Sequence, residues 1–236
     1  MNRKNRTNGM ESMTTGLKGI TGACMALFLC LFTGPVLAAT ITVDTNLDDG
    51  SLGNCELRDA IIAANTNVAA DTCVPGTPSA VQADTIVFNL SAGNETITLV
   101  AGELLIQTDG NLTIDGSNNA GSGGLVTVSG NNASRVFHTT VGPVTFDSLT
   151  VTGGNSAANG GCFFLEGNGN AVNISNTVID TCVSTNTGVG NGGGGIASEA
   201  ILNIGGTLIQ NNTALGMLAN GGGILGPFHV NRTIHS

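Results

Sequence analysis

Tryptophan and tyrosine are missing from the 236-residue chain, and eight phenylalanines make up its aromatic complement. Without indole or phenol rings the interior has to be filled by Val, Ile, Leu and small polar side chains, which suits a narrow core. Charge is scarce too, with Asp, Glu, Lys and Arg together at 10%. Lysine occurs only at Lys4 and Lys18. Beyond residue 38, Arg58, Arg135 and Arg232 face fifteen carboxylates, an excess of twelve negative charges. That balance argues against nucleic acid as a partner, because affinity there comes from basic side chains neutralising phosphates. It argues equally against anionic membranes, and against polyuronate cleavage, which needs clustered cations around an anionic sugar.

Metal and nucleotide patterns are lacking as well. There is no Cys-x-x-Cys pair, and His138, His229 and His235 are scattered. The glycine runs 192–195 and 221–223 neither open a helix nor carry the lysine of a phosphate loop, and read as corners. The stretch Asp44-Thr45-Asn46-Leu47-Asp48-Asp49-Gly50 alternates oxygen ligands, but Gly50 is seventh and Cys55 twelfth. An EF-hand needs glycine sixth and glutamate twelfth, so a capping loop is expected. Neither a metal nor a cofactor is expected.

What is present begins with a leader. Arg3, Lys4, Arg6 and Lys18 precede an apolar run from Ala23 to Phe32, and Val36-Leu37-Ala38 offers the residues a signal peptidase reads. Residues 1–38 are expected to be a signal peptide, with Met10 and Met13 as alternative starts. The apolar run is shorter than the roughly 20 residues of a bilayer span, and no second span follows. Cys24 and Cys30 leave with the leader. Cys55, Cys73, Cys162 and Cys182 remain, an even set that export allows to form disulfides. Of the three connectivities, Cys55–Cys73 with Cys162–Cys182 is the expected one.

A repeat organises the rest. Val144-Thr145-Phe146, Val172-Asn173-Ile174 and Leu202-Asn203-Ile204 are alternating triplets 28 and 30 residues apart. A second apolar pair follows each: Leu149 and Val151, Thr177 and Ile179, Thr207 and Ile209. Glycine corners then lead to Cys162, Ile196 and Ile224. Three short strands per repeat of this size make one coil of a parallel β-helix. The expected fold is all-β, a right-handed parallel β-helix of the pectin-lyase type, with coils over residues 84–226. An antiparallel sandwich would not explain the repeat. Leu57, Ala60, Ile61 and Ala64 lie at helical spacing, so residues 39–83 are expected to form an N-terminal cap with one short amphipathic helix.

Within that cap, Cys55-Glu56-Leu57-Arg58-Asp59-Ala60 resembles the CSLREA motif, with Glu56 in place of Ser and Asp59 in place of Glu. Ile61-Ile62-Ala63-Ala64-Asn65 continues the likeness. Further stretches, Asp84-Thr85-Ile86-Val87-Phe88, Leu112-Thr113-Ile114-Asp115-Gly116 and Ser134-Arg135-Val136-Phe137 among them, extend it over residues 40–226. The Gly-Gly-Gly-Ile stretches and Leu208-Ile209-Gln210-Asn211-Asn212 also resemble the repeats of polymorphic outer-membrane proteins. The resemblance implies an exported or surface protein; it assigns no activity. The motif residues Leu57, Arg58 and Asp59 are expected to serve the cap, with Arg58 paired to a carboxylate there.

One pattern points to catalysis. Asp115, Asp147 and Asp180 occupy related places in successive coils, and glycoside hydrolysis needs only two carboxylates at a set separation. Asp after a strand also serves turns, so no catalytic residue is assigned. The expected function is structural or adhesive: an acidic rod at the cell surface or outer membrane, presenting corner loops to a glycan or surface protein. A glycoside hydrolase-like enzyme is the alternative. Residues 227–236 break the repeat and are expected to be an irregular, truncated tail, leaving a coil edge open to association with another chain.

Overall fold

In the computed structural model the described residues are 37–78, 83–90, 93–107, 111–119, 125–166, 171–188, 192–216, 221–226 and 230–233. The expected leader lies outside them up to residue 36. β1 (Thr40–Val43) and α1 (Leu57–Thr66) precede the first coil, which contains β2 (Asp84–Phe88), β3 (Glu95–Thr98) and β4 (Leu104–Ile106). The second coil holds β5 (Leu112–Asn119), β6 (Val126–Ser129) and β7 (Phe137–Thr139). The third adds a short corner strand: β8 (Val144–Asp147), β9 (Leu149–Thr152), β10 (Asn155–Ser156) and β11 (Phe163–Leu165). The fourth repeats this as β12 (Ala171–Ser175), β13 (Val178–Asp180), β14 (Val183–Ser184) and β15 (Ile196–Ser198). The fifth is β16 (Ile201–Gly205), β17 (Leu208–Gln210), β18 (Thr213–Ala214) and β19 (Ile224–Leu225), and β20 (Val230–Thr233) follows.

Stacking these coils gives parallel sheets, so the chain is a β-helix. The first sheet runs β1-β2-β5-β8-β12-β16-β20, the second β3-β6-β9-β13-β17 and the third β4-β7-β11-β15-β19. The triplets read from the sequence are in register, with Val144, Val172 and Leu202 side by side. Period-two alternation sends every second side chain inward. Inside, Ile86, Ile114, Phe146 and Ile174 form one ladder and Ile97, Val128, Val151 and Ile179 another, all buried. Each such side chain contributes about 1.5–3 kcal/mol by leaving water. Phe137, Phe146 and Phe163 fill the middle of the rod, their ring centroids 4.8–5.4 Å apart.

Three expectations need correction. Val230–Thr233 are a strand and not irregular tail, because Val230-Asn231 repeats the Leu202-Asn203 pattern and pairs with it residue for residue. The first sheet also starts earlier than residue 84, since the alternating Thr40-Ile41-Thr42-Val43 pairs with β2. At the glycine corner, Phe163 and not Cys162 lies level with Ile196 and Ile224. The backbone sets this register. Gly160, Gly193 and Gly221 share a column with φ of +73°, +67° and +65°, and a Cβ at each would overlap the carbonyl oxygen of Phe163, Ile196 or Ile224.

The cap closes the first coil. α1 buries Leu57, Ala60, Ile61, Ala63 and Ala64 and packs against β1, β2 and β4. Glu56 stands at its N-cap without capping the helix. Its buried carboxylate instead accepts hydrogen bonds from the Gly50 and Ser51 amides at 3.1–3.3 Å, holding the preceding loop. Asn67, at φ +56°, ends the helix in the left-handed conformation that Asn tolerates. Both expected disulfides are present. Cys55–Cys73 brackets the helix and Cys162–Cys182 joins the third coil to the fourth.

Candidate functional site

The cap motif leads directly to the largest charged cluster. Leu57 is core, while Arg58 turns outward. Its guanidinium makes two bonds to the Asp48 carboxylate, at 2.7 and 3.0 Å, and donates to the carbonyls of Gly102 (2.8 Å) and Glu103 (3.0 Å). Asp48 is itself buried and also accepts from the amides of Val100 and Ala101. Arg58 therefore ties the loop before the helix to the corner that enters β4. Asp59 sits nearby with its carboxyl held above the usual range, first by burial and then by the charge of Asp71.

From that corner, Glu103 reaches across the outer face of the third sheet. One carboxylate oxygen accepts from Arg135 at 2.6 Å and the other lies 3.1 Å from His138 Nδ1. The hydrogen bond to His138, then the charge of Arg135, hold the Glu103 carboxyl below the usual range against the opposing effect of burial. Arg135 is only 7% exposed. It donates to the carbonyls of Gly160 (2.9 Å) and Asn159 (3.0 Å) and to Ser156 Oγ (3.1 Å), and lies 5.0 Å above the Phe164 ring. His138 Nε2 points at Glu166 Oε1, 3.5 Å away, too far for a good hydrogen bond. Phe164, 5.2 Å from the imidazole, is the outward-facing neighbour of the inward Phe163.

Sequence reading missed this constellation. Glu103, His138 and Glu166 come from three different coils, 35 and 28 residues apart, so no local motif contains them. The signal was the coil period itself: polar residues at that spacing beside the third strand become neighbours. In the sequence Arg135 stands out only within the stretch Ser134–Phe137, and His138 only as one of three scattered histidines.

Of the three aligned aspartates only two come together. Asp115 and Asp147 are register neighbours, but the next place in that column belongs to Ser175. Asp180 lies in the second sheet, between Thr152 and Gln210. Asp115 accepts from the Ser117 amide within its own corner, whereas Asp147 accepts from Ser175 Oγ and Asn176 Nδ2 and Asp180 from Asn211 Nδ2, each bridging to the next coil. The Asp44–Gly50 loop spreads its carboxylates apart. Asp44 bonds the Cys55 amide, Asp48 takes Arg58 and Asp49 takes the Ser51 amide, so they do not converge on one point. Among the described residues no group of three or more His, Cys, Asp or Glu is placed to hold a metal. A cleft of about 90 Å³ lined by Asp44, Thr45, Asn46, Leu90 and Glu95 is smaller than ligand pockets usually are.

Comparison with protein-family models, curated proteins and solved structures finds no match. Function therefore has to be argued from the surface. Its most regular feature is on the first sheet, where Thr40, Thr85, Thr113, Thr145, Asn173 and Asn203 stand in one row, one per strand. Asn203 Nδ2 donates to Asn173 Oδ1 at 2.9 Å and Asn173 Nδ2 to Thr145 Oγ1 at 3.2 Å, which fixes the row. Among the described residues no helix is long and apolar enough to cross a membrane.

Proposed function

We propose that this chain is an exported or cell-surface adhesive protein whose solenoid presents a repeating polar face, with its corner loops, to a glycan or surface protein. The hydroxyl and amide row on the first sheet carries this reading. It offers a donor and acceptor every 4.8 Å or so along the rod, and a polymer with repeated hydroxyls can engage several at once. Two disulfides favour an oxidising compartment, and the likeness of Cys55–Ala60 to the CSLREA motif favours export. The charged cluster then acts as a clamp between cap and coils.

A glycan array together with host-surface attachment of a deletion strain tests the reading. Glycan binding that falls on Thr113→Lys or Asn173→Lys is expected. A clean array and unchanged attachment would discard it. Catalysis is the second reading, favoured by the solvent-facing Glu103 and Glu166 at the two ends of His138. The imidazole occupies the gap where an inverting glycosidase holds its water, so binding is preferred. Reducing ends released from polysaccharides by the native chain, and lost in Glu166→Gln, would reverse that preference.

A further inference from the structure

We propose that the outer face of the second sheet binds ice. The outward residues of β3, β6 and β9 are Thr96 and Thr98, Thr127 and Ser129, and Thr150 and Thr152. They align in two columns, Thr96–Thr127–Thr150 and Thr98–Ser129–Thr152. Neighbouring strands lie about 4.8 Å apart, and residues i and i+2 on one face about 6.7 Å apart. The six side chains thus stand on a rectangular grid. Water oxygens on the prism face of hexagonal ice repeat at closely similar intervals in two perpendicular directions. A soluble sugar has no such two-dimensional repeat, and liquid water does not hold one.

The side chains suit a solid surface in other ways. Five of the six are threonine, stiff at χ1, so little rotamer freedom is lost on docking. Each presents a methyl beside its hydroxyl, and the grid itself carries no charge. Ile97, Val128 and Val151 are fully buried beneath the columns and fix the rows from below. Two hydroxyls are held from the side. Ser129 Oγ accepts from the Asn131 amide at 3.2 Å, and Thr152 Oγ1 lies 2.7 Å from Thr181 Oγ1. Thr96 and Thr98 are exposed and the other four half-buried. The grid ends where Val178 and Asp180, then Leu208 and Gln210, take the same positions.

A patch three coils long predicts adsorption to ice and slowed recrystallisation more than a large depression of freezing point. The test is partition of the full chain into slowly growing ice, with grain growth followed in parallel by microscopy. The native chain is expected to enter the ice and to restrain grain growth. Thr127→Lys, which puts a charge at the centre of the grid, is expected to exclude it. Thr127→Val keeps the branched shape without the hydroxyl and is expected to weaken partition in part. Ile62→Lys on α1 leaves partition unchanged. Circular dichroism checks that each variant is folded; should Thr127→Lys not fold, Thr150→Val combined with Thr127→Val takes its place. Exclusion of the native chain from ice, or full partition of the folded grid variants, overturns the inference. The glycan reading rests on the first sheet, so failure of one leaves the other standing.

Discussion

At the scale of single residues, Arg135 carries the most. Cutting it back to methionine leaves the Glu103 carboxylate with His138 alone and removes the donor to the carbonyls of Gly160 and Asn159. A loss of about 2–3 kcal/mol in denaturant unfolding is expected, below the cost of a wholly buried pair because Glu103 is partly solvated. Glu103 itself gives a pH signature. A depressed carboxyl stabilises the fold above its unfolded value, and that contribution disappears as the pH falls from the ordinary glutamate value of 4.5. Glu103→Gln should therefore be less stable than the native chain at pH 7, with the difference closing in acid. Asp59 works in the opposite sense. Its raised carboxyl destabilises the folded state at neutral pH, so Asp59→Asn should raise Tm there and bring no gain at low pH. Gly193→Ala has a steric effect independent of pH. Its φ of +67° costs an L-residue about 1–2 kcal/mol before the overlap with the Ile196 carbonyl is counted.

At the scale of elements, legibility in the sequence followed the range of the interaction. The triplets at Val144, Val172 and Leu202 announced their register because alternation and period are both local counts. The helix was equally plain, from Leu57, Ala60, Ile61 and Ala64 on one stripe. Asp180 was misplaced because it ends the second arm of its coil, whereas Asp115 and Asp147 belong to the first arm of theirs. The cluster of Glu103, His138 and Glu166 escaped because it lies across strands, where only the stacking order brings residues together. Both disulfides matched the expected pairing. The bridge between Cys162 and Cys182 closes a loop of 20 residues, and replacing both with alanine should cost about 3 kcal/mol. Thermal unfolding with and without reductant measures it.

At the scale of the whole molecule, each coil touches only its neighbours, so stability accumulates along the rod and is not evenly shared. The middle coils hold Phe137, Phe146 and Phe163. The fifth has Ile204, Ile209 and Ile224 only partly buried. Amide hydrogen exchange should accordingly be slowest in β7, β8 and β11 and fastest in β17 and β19, whereas equal protection throughout would indicate a single cooperative unit.

That gradient acquires a mechanical meaning at the Cys162–Cys182 bridge. A load applied along the axis separates coils one at a time, as a zip opens, beginning at the fifth. The bridge spans the boundary between the third coil and the fourth, so while the sulfurs stay oxidised the load passes from Cys182 straight to Cys162 and the residues between them cannot be drawn out. Under tension the rod thus lengthens by less than its chain length allows, and reduction of the bridge releases the withheld segment in one step.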